Sequence, residues 1–366
     1  MRFIGTDRYV HGTPERSAVV LINLGTPPAP TAAAVRRYLR EFLSDPRVVE
    51  IPRWIWWPIL NGPVLAIRPR RSAAKYAAIW TPEGSPLLVG SRRQAAALNE
   101  QLALRGLELD VVLAMRYGMP SIEEALRQLR SRNVTRMLML PLYPQYSGTT
   151  TASAVDGVNR VLGRLRDVPE IRWIKHFPDD GGYIDALRAS VADHWERHGR
   201  GQCLLMSFHG LPRRNLDLGD PYHCECHKTA RLLAQALGLA PSAYRVSFQS
   251  RFGRARWLEP STVDTLRELA GSGVKRLDVV CPGFVADCLE TLEEIAIEGQ
   301  AQFLAAGGQQ LRYIRCLNDS SGFIRALADL VERNVQGWPV DPGQLEALSR
   351  EARRSAELAM ALGARQ

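Results

Sequence analysis

Six irregularly spaced cysteines in 366 residues are too few for the disulfide framework of a secreted domain. No apolar run approaches the ~20 residues a spanning helix needs. The longest, Trp54 to Ile67, is interrupted by Pro58 and Pro63. The N-terminal MRFIGTDRYVHGTPERSAVVLINLG carries charge up to Arg16 and then only a short apolar run, which is not a signal-peptide pattern. A reducing cytoplasm is the expected setting. Also missing are a G-x-G-x-x-G after a strand, G-x-x-x-x-G-K-[ST], G-x-S-x-G and H-E-x-x-H. The usual dinucleotide, nucleotide-triphosphate, serine-hydrolase and zincin chemistries therefore lose their main signatures. The net charge of +9 is scattered through arginine pairs such as Arg36–Arg37, Arg70–Arg71 and Arg213–Arg214, without a long basic run. That pattern excludes nucleic acid as an expected partner and points to an anionic surface or a small carboxylated ligand.

What is present is ordinary globular composition, 46% hydrophobic and 23% charged. At ~150 residues per domain the length suggests two domains. Short β-branched runs end in Gly/Pro turns and lead into helical stretches, as in Ala18–Leu24 before Gly25-Thr-Pro27 and Cys203–Phe208 before His209-Gly-Leu-Pro212. Uninterrupted apolar runs alternating with helices indicate parallel strands buried on both faces, an α/β fold with doubly wound sheets. The halves echo each other: Leu113–Gly118 precedes Pro120-Ser121 and a helix, and Ser247–Gly253 precedes Pro260-Ser261 and a helix. Two similar Rossmann-like lobes are expected, each a parallel sheet flanked by helices, with the ligand cleft between them at the carboxyl ends of strands.

Two features carry chemistry. His209 follows an apolar strand directly, where an imidazole serves as base or ligand, or else caps a turn. After Pro282, the residues Asp287, Glu290, Glu294 and Glu298 fall at helical spacings of three and four. They form either a carboxylate stripe toward the cleft, able to bind a divalent cation and move protons, or a solvated helix face. The segment Trp54-Ile-Trp-Trp-Pro-Ile-Leu60 reads either as an apolar lip or as core packing.

The motifs Leu21-Ile-Asn-Leu-Gly-Thr-Pro27, Leu142-Tyr-Pro-Gln-Tyr-Ser147, Ser207-Phe-His-Gly-Leu-Pro212, Phe248-Gln-Ser-Arg-Phe-Gly253 with Trp257-Leu258, and Asp287-Cys-Leu-Glu-Thr-Leu-Glu-Glu294 occur in that order. Together they make the chain resemble the ferrochelatases, which insert ferrous iron into protoporphyrin IX at the end of haem synthesis. The resemblance implies that His209 is an iron ligand or acceptor of pyrrole protons, with Glu290 its acidic partner across the ring. It makes Asp287, Glu294 and Glu298 a proton or metal path. It also places Arg71, Tyr76 and Ser85 against the porphyrin propionates and ring, with Tyr146, Phe252, Trp257 and Phe284 as further walls. Guanidinium suits a propionate carboxylate independently of any family. Cys288 stands where animal relatives carry a second histidine.

Fe2+ is then a substrate, and no cofactor is required. A [2Fe–2S] cluster held by cysteines of a C-terminal extension is not expected, because no cysteine follows Cys316. His223-Cys-Glu-Cys-His227 is expected to be a polar loop before a helix at Lys228 rather than a metal site. Peripheral contact with the cytoplasmic face of the inner membrane is expected from the basic balance and the tryptophans. The expected division is an N-terminal lobe over 1–160 with a porphyrin lip at 51–76, a C-terminal lobe over 161–310, and a helical segment over 311–366 packing back on the first lobe. A chelatase for coproporphyrin or another divalent metal, and a non-enzymatic tetrapyrrole carrier, remain as alternatives.

Overall fold

The computed structural model describes residues 3–5, 10–253 and 255–364. Two four-stranded, wholly parallel sheets organise the chain. The first contains β1 (Arg16–Gly25), β2 (Asp110–Tyr117), β3 (Val134–Pro141) and β4 (Glu170–Trp173) in the order β2-β1-β3-β4. The second contains β5 (Cys203–His209), β6 (Tyr244–Gln249), β7 (Arg276–Val280) and β8 (Gln310–Tyr313) in the order β6-β5-β7-β8. The second order is the first with every number advanced by four. The central strands are buried throughout, Ala18 to Ile22 in β1 and Cys203 to Phe208 in β5, because helices cover both faces. Continuous apolar runs instead of alternation are the consequence.

The echo between the halves extends to single hydrogen bonds. Ser121 Oγ accepts from Glu124 N–H and Ser261 Oγ from Asp264 N–H, each capping the helix after its proline. Ile174 N–H donates to Met139 O, and Ile314 N–H to Val279 O. The helices Gly181–His198 and Ser321–Asn334 cross at the centre of this relation. There Gly182 lies against Ala326 and Gly322 against Ala186, and the Tyr183 and Phe323 rings meet at 6.5 Å.

One core runs through that crossing from the first sheet (Val19, Leu21, Leu140) to the second (Leu204, Met206, Phe208). The outer face of each sheet has its own cluster, around Val20 and Met139 and around Leu205 and Val279. The expected boundaries need correction. A cut at 160/161 separates β4 from β3, its pairing partner, and a cut at 310/311 passes through β8, which pairs with β7. A helix and then a strand belong to each repeat, so the first sheet ends only at Trp173 and the second at Tyr313. Beyond them, Trp338 Nε1 donates to Glu170 and Val340 O accepts from Glu108 N–H.

Close approach at the helix crossing has a measurable consequence. At Gly182 even a Cβ would stand 2.9 Å from the Ala326 Cβ. Gly182→Val should lower unfolding free energy by about 1–3 kcal/mol in urea denaturation. Gly181→Ala, with nothing within 4 Å of the added methyl, should not. Equal midpoints for the two variants would contradict tight packing there.

Candidate active site

β5 delivers His209 to the carboxyl end of the second sheet. The next residue, Gly210, donates its N–H to Gln249 O at 2.7 Å, and a Cβ at Gly210 would collide with that carbonyl. Gly25 faces Tyr117 O in the same way in the first lobe. The two turns, Leu24-Gly-Thr-Pro27 and His209-Gly-Leu-Pro212, are counterparts; one carries an imidazole where the other carries leucine. His209 Nδ1 lies 2.6 Å from Gly210 O. A carbonyl only accepts, so Nδ1 bears a proton, and the lone pair of the unprotonated ring is the one at Nε2. The Phe284 ring lies 6.3 Å away, centroid to centroid.

The carboxylates follow β7, and here the geometry departs from the expected stripe. A short helix, Leu289–Thr291, starts with Cys288 as its N-cap residue and passes into a π-helix over Leu292–Gly299. The wider π turn brings residues five apart together, which an α-helical spacing does not. Glu293 and Glu298 accordingly share Lys75 Nζ, each at 2.9 Å. Glu294 turns elsewhere, accepting from Ser250 N–H (2.5 Å) and Ser250 Oγ (2.6 Å). Asp287 is neither an N-cap nor part of the row. It is buried and consumed by Arg315 (2.9 Å), Tyr313 OH (2.7 Å), Cys316 N–H (3.0 Å) and Asn318 (3.1 Å).

Burial raises the Glu294 carboxyl above the usual range and negative Glu290 adds to this, while the Ser250 hydrogen bonds and His209 oppose it. Glu294 is thus within electrostatic reach of both His209 and Glu290. Ser250 holds a left-handed backbone, φ 64°, unusual for a residue with a Cβ. Gln249 Nε2 donates to Glu290 O at 2.7 Å, and Gln249 Oε1 accepts from Ser207 Oγ at 2.8 Å. From the first lobe, the buried phenols Tyr38 and Tyr76 approach Glu290. Burial and then nearby acidic groups, including Glu290, push both phenols up.

The other expected contacts divide. Tyr76 and Ser85 are buried beside Thr26, whose Oγ1 donates to Ser85 Oγ at 2.8 Å. Arg71 is exposed on the helix Leu65–Ile79 that carries Lys75 and Tyr76. Phe252, half exposed, packs on buried Trp257 at 4.8 Å, and Arg68 reaches over the Phe252 ring at 5.0 Å. The Tyr146 N–H donates to Glu225, Lys175 covers its ring, and it lines a cavity with Trp173 and Lys175. Sequence reading missed Gln249 and Ser250, although both lie inside a quoted motif. It missed Glu293 because α-helical periodicity was assumed, and Arg68 and Lys75 because nothing distinguishes them from other scattered cations.

The lip is sharper than expected. Trp54 is 79% exposed, and Trp57, Ile59 and Ile67 are exposed as well. Trp56 instead donates from Nε1 to Leu43 O at 2.6 Å and packs on the core below. No helix among the described residues is long and apolar enough to cross a membrane. The His223–His227 stretch is not a loop but the start of the helix Tyr222–Ala236, with Cys224 exposed and Cys226 buried. Burial lowers both imidazoles, and among the described residues no group of three or more His, Cys, Asp or Glu is placed to hold a metal ion.

Known proteins match this arrangement. The family model described as Ferrochelatase matches residues 16–335. A ferrochelatase of Polaromonas sp. is 56% identical over 369 residues, covering 100% of both chains. One of Azoarcus sp. is 57% identical over 350 residues, 96% of each. Among solved structures, the sirohydrochlorin chelatase SirB from Bacillus subtilis subspecies spizizenii in complex with cobalt aligns with a TM-score of 0.52 at 12% identity, covering 88% of this chain and 97% of that one. SirB from Bacillus subtilis with Fe3+ gives 0.50 at 13% identity, covering 88% and 96%. At such identities the structural matches speak to the fold alone, and they share its two-lobed form.

Glu294 yields a pH prediction. Its carboxyl is raised in the folded chain, so the stability linked to it is present below the ordinary carboxylate pKa and is lost as pH rises through the folded value. Glu294→Gln should match the parent in thermal unfolding near pH ~4 and exceed it near pH ~7. A variant less stable than the parent at both values would contradict the buried-carboxyl reading.

Proposed function

The chain belongs to the ferrochelatase family, metal-chelatase lyases that insert Fe2+ into protoporphyrin to give protohaem, and we propose that His209, Glu290 and Glu294 carry this insertion as one set. The observation that supports the set is the electrostatic reach of Glu294, its carboxyl raised by burial, to both His209 at the end of β5 and Glu290 in the segment after β7. Insertion exchanges two pyrrole protons for one Fe2+, so the ring's charge is unchanged and the protons need an acceptor. A bent macrocycle exposes nitrogen lone pairs on one face and N–H on the other, and binding energy from its periphery offsets the strain. His209 Nε2 serves one face as proton acceptor or transient iron ligand. Glu290 and Glu294 serve as the acidic partner, and Glu294 holds a proton more readily because it is buried.

Around this centre, Phe284, Phe252 and Trp257 supply flat apolar walls, and Arg71 a guanidinium for a propionate. Glu298, engaged with Lys75, lies further out on any carboxylate path. The iron stays ferrous throughout, so the step calls for no redox cofactor. Burial pushes the thiols Cys281, Cys288 and Cys316 well up, which disfavours the thiolates a cluster would need. The exposed Trp54, Trp57, Ile59 and Ile67, flanked by arginines, fit reversible contact with an anionic bilayer, into which apolar porphyrin also partitions.

Two measurements test this reading. Loss of free-base porphyrin fluorescence under anaerobic conditions with Fe2+ should slow at least ~100-fold in His209→Ala while porphyrin still binds. Among the carboxylates, turnover should fall steeply for Glu290→Gln, less for Glu294→Gln and least for Glu298→Gln. A flat series, or near-normal turnover without His209, would sink the proposed set. Co-sedimentation with anionic vesicles should be lost in Trp54→Glu/Trp57→Glu and in high salt; equal binding to neutral vesicles would remove the electrostatic part.

A further inference from the structure

A cavity in the first lobe has a volume of about 270 Å³ and walls that include Tyr146, Thr151, Trp173, Lys175 and Arg47, none of them a member of the proposed set. It is far too small for a macrocycle. The internal repeat of the fold shows what its counterpart in the second lobe contains. The helical segments after β3 and β7 start from the N-cap residues Ser147 and Cys288, both with extended backbone. Immediately before those caps stand Tyr146 and Asp287. On the neighbouring strand ends, Trp173 and Lys175 flank Ile174 as Tyr313 and Arg315 flank Ile314, and both isoleucines make the equivalent backbone bond.

In the second lobe, therefore, a carboxylate fills this position. Asp287 is held there by Arg315 at 2.9 Å, by the Tyr313 hydroxyl at 2.7 Å and by the Cys316 N–H at 3.0 Å. In the first lobe the cation and the aromatic wall are retained, but the carboxylate is replaced by a phenol. Lys175 lies over the Tyr146 ring, 4.9 Å from its centroid, and has no carboxylate partner among the described residues. Arg47 is committed to Asp156 at 2.8 Å, so the uncompensated charge of the cavity is that of Lys175. A separate observation marks the same wall: Thr151 is 1% exposed and its hydroxyl is buried without a hydrogen-bond partner.

We propose that this cavity binds a compact, flat carboxylate, which takes the place beside Lys175 that Asp287 takes beside Arg315. A carboxylate fits better than a phosphate because the fold already shows one in the equivalent place, held by three side chains and a single backbone N–H. Flat apolar bodies are favoured by the Tyr146 and Trp173 walls. The Lys175 ammonium supplies a charge-assisted contact that a neutral isostere cannot make.

Benzoate is the probe. Calorimetric titration of the full chain should give saturable binding near ~1 mM, the range one charged contact and two ring faces support for so small a ligand. With 15N-tryptophan labelling, one indole resonance should shift, and that resonance should be missing from Trp173→Phe. Lys175→Met, at an exposed position, should weaken binding at least about tenfold. Tyr146→Asp, which installs the carboxylate of the other lobe, should abolish it. Benzamide should not compete. Inorganic phosphate binding in place of benzoate would overturn the carboxylate assignment. Benzoate affinity unchanged in both Lys175→Met and Tyr146→Asp would place the ligand elsewhere and overturn the site, as would no saturable binding at all. Should Tyr146→Asp fail to fold, Lys175→Met with the Trp173 resonance decides.

Discussion

The buried side chain of Gln249 ties the site together. Its Oε1 accepts from Ser207 on β5, and its Nε2 donates to the backbone oxygen of Glu290. Its own carbonyl receives the Gly210 N–H, which sets the turn that presents His209. Ser207 and Ser247 both meet Thr262 Oγ1 at 2.9 Å, which fixes the helix start behind them. One amide therefore joins the strand that carries the imidazole to the segment that carries the carboxylates. A buried amide left with an unmet donor is expensive, so neither end of it can drift freely.

The internal repeat shows how differently the two lobes use the same positions. Arg116 and Tyr117 stand where Gln249 and Ser250 do, Ser153 where Glu294 does, and Leu24 where His209 does. In the first lobe three of these residues close on Asp45, which pairs with Arg116 at 2.5 Å and accepts from Tyr117 and Ser153. Although Asp45 is buried, those hydrogen bonds and the guanidinium hold its carboxyl low. That carboxylate is fully satisfied and structural. In the second lobe the Glu294 carboxyl is raised instead, having serine donors but no cation pair. The same backbone supports a locked ion pair on one side and a titratable acid on the other.

Much of this was legible in the residues. Apolar runs without alternation gave the parallel sheets, and the paired Pro-Ser turns gave the repeat. His209 and Glu290 stand out in the sequence because a strand-end histidine and a carboxylate row are uncommon, and the proposed set rests on them. The rest depended on geometry that periodicity does not carry. A π-helix re-sorted the carboxylates, linking Glu298 to Glu293 and leaving Glu294 to Ser250. Asp287 had the spacing of the row but lies beside Arg315 and Tyr313, contacts set by the end of β8 and invisible in local sequence. Trp54, Trp56 and Trp57 look alike in the chain, yet helical phase sends Trp56 inward to Leu43 and the other two outward.

Coupling between the imidazole and its acidic partner is the central claim, and a double-mutant cycle on insertion rate tests it most directly. His209→Ala, Glu290→Gln and the double variant are compared by single-turnover loss of porphyrin fluorescence with Fe2+. Residues acting as a unit give a double variant about as slow as the slower single one. Rate losses that multiply, as for two independent contributions, would contradict the account.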